Sequence, residues 1–369
     1  MHITVLQENL LRALIKTGRA ISTKPQLPVL SHVLLETENG GLRITATNME
    51  TTESVHVAAK VEKAGALCVP SRVLTELVSS LPAETAHLVA GEGSLSVRCA
   101  GFSANIPGVA SGEFPPVPQI GKTKGTSLQK QALVEALTLV LFAAATDEGR
   151  PLLTGVRIED KGDSVVFAAT DGYRLSMKKL SLPLKNNIRL VVPARALSEV
   201  VKVSQEDRDS ESVSFLQEEG GQLVFVVGDT EIFTRPIEGE YPNFEKIIPA
   251  THNTRVLFEK EALVRAVKSA AIFARDNANI IRFHIENQSV VVSANTPQVG
   301  ENQIDVAAKV DGDGGDIAFN SRFLVEFLAN FSGEELLFEM TGGLNAVAFR
   351  PVNDDSFLHV IMPVRVASG

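Results

Sequence analysis

The chain has 369 residues, 44% hydrophobic and 21% charged, with a net charge of −9. That apolar content excludes a disordered chain, the acidic balance excludes a simple basic DNA-binding module, and the absence of Trp with only two Tyr leaves few platforms for single-stranded bases. No apolar run reaches the about 20 residues that span a bilayer, and two cysteines without CxxC spacing, Cys68 and Cys99, fit a reducing cytoplasm.

The N-terminal residues read as a strand followed by a helix over 7–20, with Leu11, Leu14 and Ile15 at helical spacing, rather than as a signal peptide. A buried strand, Val29–Glu36, leads into a hairpin signal at Asn39-Gly40-Gly41 and a return strand. Val69-Pro70-Ser71 opens a second helix over 71–80, with Ser71 as a candidate cap, and Gly91-Glu92-Gly93 marks a second hairpin. The Pro-rich segment Gly112–Gly121 cannot continue a sheet and closes this part of the chain. The order then recurs: helix 129–145, strand Leu152–Glu159, turn Lys161-Gly162-Asp163, helix 194–204 after Pro193, turn Glu219-Gly220-Gly221, and a closing segment Gly239–Phe244. It recurs a third time: helix 259–275, strand Ile280–Glu286, turn Asn287-Gln288, helix 321–330 capped by Asn320, and turn Gly342-Gly343.

Three separate segments return in the same order. Pro70–Leu77 matches Pro193–Val200 and Asn320–Phe327; Glu8–Leu14 matches Gln131–Leu137 and Glu261–Val267; Ile44–Asn48 matches Phe167–Asp171 and, more loosely, Val292–Thr296. The fold expected is therefore α+β: three tandem repeats of a two-helix, antiparallel-sheet domain, at 1–123, 124–251 and 252–369.

The six helices carry twelve basic residues (Arg12, Lys16, Arg19, Arg72, Lys130, Arg195, Lys202, Lys260, Arg265, Lys268, Arg275 and Arg322) against seven acids, so they hold a surplus of five on a chain of net charge −9. Arg12, Lys16 and Arg19 share a helix face by their spacing, and so do Arg265, Lys268 and Arg275. Six equivalent helices on one side of three domains would form one positive surface. It would attract phosphates without reading bases.

Catalytic patterns do not complete. In Gly121-Lys-Thr-Lys-Gly125 the first glycine of a phosphate loop would fall on Pro116, and the calcium-loop pattern at Asp311–Asp316 meets Gly315 and Arg322 where an acid or amide and then Glu are needed. The seven histidines form no HExxH and no cluster, no GxSxG occurs, and Asp171-Gly172 reads first as a turn. No metal or cofactor is implied. The residues alone leave two other readings open: a scaffold of three protein-binding domains, and an enzyme using Asp171, Arg174 and Arg150.

The repeated unit, its basic helices, Ala169-Thr-Asp-Gly-Tyr-Arg-Leu175 and Val360-Ile-Met-Pro-Val-Arg-Val366 together resemble the bacterial DNA polymerase III beta subunit, the sliding-clamp family, over essentially the whole chain. The resemblance implies a head-to-tail homodimer forming a six-domain ring around double-stranded DNA, without catalytic activity. The resemblance implies that such a ring tethers the replicative polymerase, the clamp loader and other replication and repair proteins in the cytoplasm, away from any membrane. It implies a peptide-binding pocket at Arg150, Leu153, Gly155, Thr170, Gly172, Tyr173, Arg174, Leu175, Pro242, Lys246, Ile247, Leu344, Ala346, Val360, Met362, Pro363, Val364 and Arg365. It further implies a dimer interface at Ala104, Ile106, Ile272 and Phe273. DNA-facing positions are Lys24, which matches a family contact, and the helix residues Arg12, Lys16, Arg19, Arg72, Arg195, Lys202, Arg265, Lys268, Arg275 and Arg322.

Overall fold

The computed structural model describes the whole chain except residues 23, 24, 39, 122–124, 148, 183–187, 219, 276, 277, 298 and 366–369. Among the described residues there are six α-helices: α1 (Gln7–Gly18), α2 (Ser71–Ser80), α3 (Lys130–Leu141), α4 (Ala194–Glu206), α5 (Lys260–Ala274) and α6 (Ser321–Asn330). Their bounds follow the expected spans to within a few residues, because each carries an apolar stripe that must be buried. The expected strands at Val29 and Leu152 start later. Pro28–Ser31 and Pro151–Thr154 are 3-10 turns, and the strands run His32–Glu38 and Gly155–Asp160. A proline fixed at φ near −65° at the first turn position starts such a turn and supplies no ladder donor. Ser71 is also corrected: it is the first helical residue of α2, preceded by Pro70 with no side-chain cap, whereas Asn320 does accept from the Arg322 N–H of α6.

The chain divides into two compact units, residues 1–134 with 195–236, and 135–194 with 237–369. These cut through the central repeat. The reason is sheet continuity, since strands of neighbouring repeats pair directly.

In the first unit a five-stranded sheet runs Lys60–Lys63, His2–Leu6, Thr85–Gly91, Ser94–Cys99, Phe102–Pro107. An eight-stranded sheet passes from Thr126–Gln129 through the hairpins of residues 212–234 to Thr51–Val57, Gly41–Thr47, His32–Glu38 and Ala66–Pro70. Leu10, Ala13 and Leu14 of α1 and Leu74 and Val78 of α2 close one core with Val33, Ile44, Val69, Leu88 and Val97 of the strands. Glycine at positive φ makes the hairpins possible, as at Gly40 and Gly93.

In the second unit one twelve-stranded sheet extends from Arg189–Pro193 at one end to Gly315–Asn320 at the other. Leu263, Val267 and Ala270 of α5, Leu324, Phe327 and Leu328 of α6, and Leu139 of α3 bury against Phe258, Phe283, Phe319, Phe338 and Phe349. The aromatic rings meet edge to face, as Phe258 does with Phe338 and Phe319 with Phe338, which is the arrangement their quadrupoles favour.

All strand pairs are antiparallel, and two of them join repeats. In the first unit Thr51–Val57 pairs with Thr230–Thr234, Thr51 opposite Thr234 and Glu53 opposite Ile232. In the second, Arg174–Leu180 pairs with Phe357–Ile361, Arg174 opposite Ile361 and Ser176 opposite His359. The two registers are related by offsets of 123 on one strand and 127 on the other, the offsets of the sequence repeat. The junction itself is thus part of what is repeated.

Candidate functional site

An apolar site forms in the second unit, on the sheet around the junction of Arg174–Leu180 with Phe357–Ile361. Its floor is Leu153, Leu175 and Val360, packed with Ala168, Tyr241, Phe244, Ala348 and Leu358, with Ala346 and Leu152 half-buried at the margin. Above the buried floor, four large apolar side chains stay in solvent: Tyr173 (60% exposed), Leu344 (65%), Met362 (37%) and Ile247 (36%). Large apolar side chains left in solvent mark candidate ligand-binding surfaces.

Local chemistry fixes this rim. Gly172, at φ +91°, turns the chain at Asp171-Gly172-Tyr173, and the Asp171 carboxylate accepts from the backbone N–H of Tyr173 (2.9 Å) and Arg174 (3.0 Å). A side chain at residue 172 would meet Arg150 Nη1 at 3.0 Å. The Met362 N–H donates to the Tyr173 carbonyl at 2.8 Å, tying the two rim segments together. Tyr241 donates to the Gly155 carbonyl (3.5 Å) and accepts from the Thr170 N–H (3.2 Å); burial pushes its phenol up to about 12. Pro242, Lys246 and Arg365 are exposed, and Pro363 and Val364 are half-buried, with the Val364 N–H donating to the Ala318 carbonyl (2.8 Å).

Arg174 belongs to this group but does not face solvent. Its side chain is 7% exposed, with Nε to Asp171 Oδ2 at 3.1 Å and Nη1 to Glu326 Oε2 at 2.6 Å. Its guanidinium lies 4.6 Å from the Phe323 ring centroid and 5.6 Å from that of Phe142. Phe323 in turn stacks on Tyr173 at 6.4 Å. Arg174 supports the rim from beneath. Phe323, Glu326 and Phe142 were not expected from the sequence. The available signal was that Phe323 stands where the other repeats carry Val73 and Ala196.

The basic helix residues separate into two groups. Arg12, Arg72, Arg195 and Lys202 in the first unit, and Arg265, Lys268, Arg275 and Arg322 in the second, are exposed. Of these, Arg72 pairs with Glu76 at the surface, where such a pair exchanges readily with other anions, and Lys202 pairs with the buried Glu199. Lys16 corrects the expectation. It is 5% exposed, and its Nζ reaches Asp229 Oδ1 at 2.8 Å and Thr230 Oγ1 at 3.1 Å, because α1 packs on the sheet at the turn before Thr230–Thr234. Arg19 is half-buried and paired with Glu206 of α4, and Lys130 pairs with Asp207 at 3.2 Å. Lys24 lies outside the described residues.

Of the four expected interface positions, Ala104 and Ile106 lie on Phe102–Pro107, the edge strand of the five-stranded sheet; Ala104 is half-buried and Ile106 buried. Ile272 is 52% exposed on α5, and Phe273 is half-buried against the second unit's core. A further edge was missed by the sequence reading. The long strand Gly300–Gly312 pairs with Ser289–Thr296 through residues 300–307 and with Thr254–Glu259 only at its end, so one side of residues 300–307 has no ladder partner among the described residues.

Among the described residues no group of three or more His, Cys, Asp or Glu is placed to hold a metal ion, and no helix is long and apolar enough to cross a membrane. Cys68 and Cys99 are buried and unbridged, and burial raises the Cys68 thiol to about 11.

Fold and site together define a tandem-repeat clamp protein with an exposed apolar site. Family models of the DNA polymerase III beta subunit match along the chain: the N-terminal domain at residues 1–118, the central domain at 127–243 and the C-terminal domain at 245–365. The beta sliding clamp of Synechococcus elongatus is 29% identical over 376 residues, covering all of both chains. The beta chain from Streptococcus pneumoniae superposes with a TM-score of 0.92 at 26% identity, covering 99% of this chain and 100% of that one. The sliding clamp from Bartonella birtlesii bound to griselimycin superposes with a TM-score of 0.94 at 25% identity and the same coverage. The chain belongs to the DNA polymerase III beta subunit family.

Proposed function

We propose that the chain is a DNA sliding clamp: two copies join head to tail into a six-domain ring that encircles double-stranded DNA and tethers the replicative polymerase. The observation that carries this reading is the repeated junction. One edge-to-edge strand pairing, in one register, links successive repeats. The edges at Phe102–Pro107 and at residues 300–307 offer the same kind of pairing to another copy. A heterologous step repeated with the right rotation closes on itself, and closure removes open sheet edges. Ala104, Ile106, Ile272 and Phe273 would flank that joint.

The mechanism has no chemical step. A tether must be retained yet mobile. Base contacts would pin it, since a good bidentate contact carries about 1–3 kcal/mol of site preference. Arg12, Arg72, Arg195, Lys202, Arg265, Lys268, Arg275 and Arg322 reach a uniform phosphate lattice instead, with Lys24 added to them. Retention then comes from topology, and affinity per contact can stay small.

The apolar site of the second unit is the partner site. Its buried floor and exposed Tyr173, Ile247, Leu344 and Met362 suit an extended peptide with apolar anchors, with Met362 adapting to different side chains. The polymerase, the clamp loader and repair proteins would use it in turn, in the cytoplasm. The repeat boundaries are 1–123, 124–251 and 252–369.

Native mass measurement at micromolar concentration tests the assembly. The expected species has twice the mass of one chain; a single-chain species at that concentration overturns the closed pair.

A further inference from the structure

A second cavity lies beside the peptide site in the same unit. It is a cleft of about 400 Å³ between the strands Gly155–Asp160 and Arg189–Pro193 and the segment Glu240–Glu245. It borders the peptide site through Pro242, and its inner wall is Tyr241 and Phe244, which also pack with the site's floor. Its lining is charged rather than apolar. Arg157 and Glu159 alternate on one strand, and Arg189 stands directly opposite Glu159 on the next.

The lining holds three cations, Arg157, Lys161 and Arg189, and three acids, Glu159, Glu240 and Glu245, but they are not all paired with one another. Glu159 accepts from Arg157 Nη2 (3.1 Å) and from Lys161 (2.9 Å), which hold its carboxyl below the usual carboxylate range against the effect of burial, and Lys161 also lies 3.6 Å from Glu245. Arg189 forms no ion pair among the described residues. Arg157 is only 6% exposed, yet its Nε–H is buried without a hydrogen-bond partner. A buried guanidinium donor left unmatched destabilises the folded chain, a cost that an acceptor placed beside it would remove. Arg157 and Arg189 together offer donors for one carboxylate.

We propose that this cleft is a flanking subsite of the peptide site. It takes a carboxylate side chain of the bound peptide, next to the apolar anchors, on Arg157 and Arg189. The inference rests on the peptide-site reading above. It adds a charge preference that the apolar floor cannot supply.

The test uses the full chain and two synthetic extended peptides with the same leucine and phenylalanine anchors, one flanked at both ends by aspartate and the other by asparagine, titrated by calorimetry. The aspartate peptide is expected to bind about five- to tenfold more tightly at low salt. Arg189→Glu, an exposed position, should abolish that advantage while leaving the asparagine peptide's affinity unchanged. Equal affinity of the two peptides for the unaltered protein overturns the subsite and leaves the peptide site standing, as does an Arg189→Glu loss shared by both peptides. Failure of both peptides to bind the unaltered protein overturns the peptide-site reading and the subsite with it.

Discussion

The two repeat junctions share one register and differ in what fills them. At Thr51–Val57 against Thr230–Thr234 the surroundings are polar and paired: Lys16 with Asp229, Arg19 with Glu206, and Arg43 with Glu231 at 3.0 Å and with Gln119 at 3.1 Å. At Arg174–Leu180 against Phe357–Ile361 Arg174 is buried among aromatic rings, Lys178 is buried and paired with Glu135 at 3.2 Å, and apolar groups reach solvent beside Arg174. The same backbone therefore makes a joint surrounded by ion pairs in one place and one bordered by an exposed apolar surface in the other. Duplicated topology supplies the location of a site; side-chain chemistry decides which copy is used.

Both junctions also bury a titratable group, on opposite strands of the pair, and the two shift in opposite senses. Glu53 faces Ile232, is fully buried with neither carboxylate oxygen hydrogen-bonded, and burial, with the charge of Glu199, raises it to about 8. In the second junction it is the other strand that carries the titratable group. His359, opposite Ser176, is buried and stacked on Phe327 at 4.4 Å; its Nδ1 lies 2.7 Å from Ser176 Oγ, and burial holds its pKa well below the usual value. The raised Glu53 favours folding at low pH and loses that advantage as pH climbs from about 4.5 to about 8. The depressed His359 works the other way: stability is full above its unfolded value of about 6.5 and falls as pH drops below it.

The largest effect expected from breaking this contrast is at Arg174. Arg174→Met removes a buried guanidinium that bridges Asp171 and the half-exposed Glu326 and should cost about 1.5–3 kcal/mol in urea unfolding; a loss under about 0.5 kcal/mol would remove its supporting role. Next is the pH dependence of the first unit. Glu53→Gln should flatten the decline in stability between pH 4.5 and 8, which amounts to at most about 1.4 kcal/mol per pH unit. Thermal melts that keep the same pH slope in the variant would contradict the assignment. Tyr173→Ala should weaken apolar-peptide binding about tenfold, about 1.4 kcal/mol, without changing the melting temperature by much. The smallest expected change is Arg322→Glu, which should reduce the salt dependence of DNA association by about one unit of slope. An unchanged slope would exclude Arg322 from phosphate contact.

Much of this contrast was legible in the sequence, and what was not has a common cause. Helix positions followed from apolar spacing and from the recurrence of Pro70–Leu77, which is local information. The apolar rim residues Tyr173, Leu344 and Met362 came from family resemblance, since nothing in their spacing marks them as neighbours. Lys16 misled because helical periodicity places it beside Arg12 and Arg19, while its partner Asp229 is 213 residues away. Phe323 and the unpaired edge at residues 300–307 escaped for the same reason: both depend on which strand or loop the topology brings alongside. Glu53 reads as one polar residue in a strand, and only its surroundings make it a buried acid.

The central claim is retention by closure, and retention on DNA of defined topology tests it most directly. Protein placed on nicked circular duplex by a clamp loader should stay bound through gel filtration at physiological salt and be lost when the circle is cut once. Equal retention on circular and linear DNA, or none on either, would contradict the account.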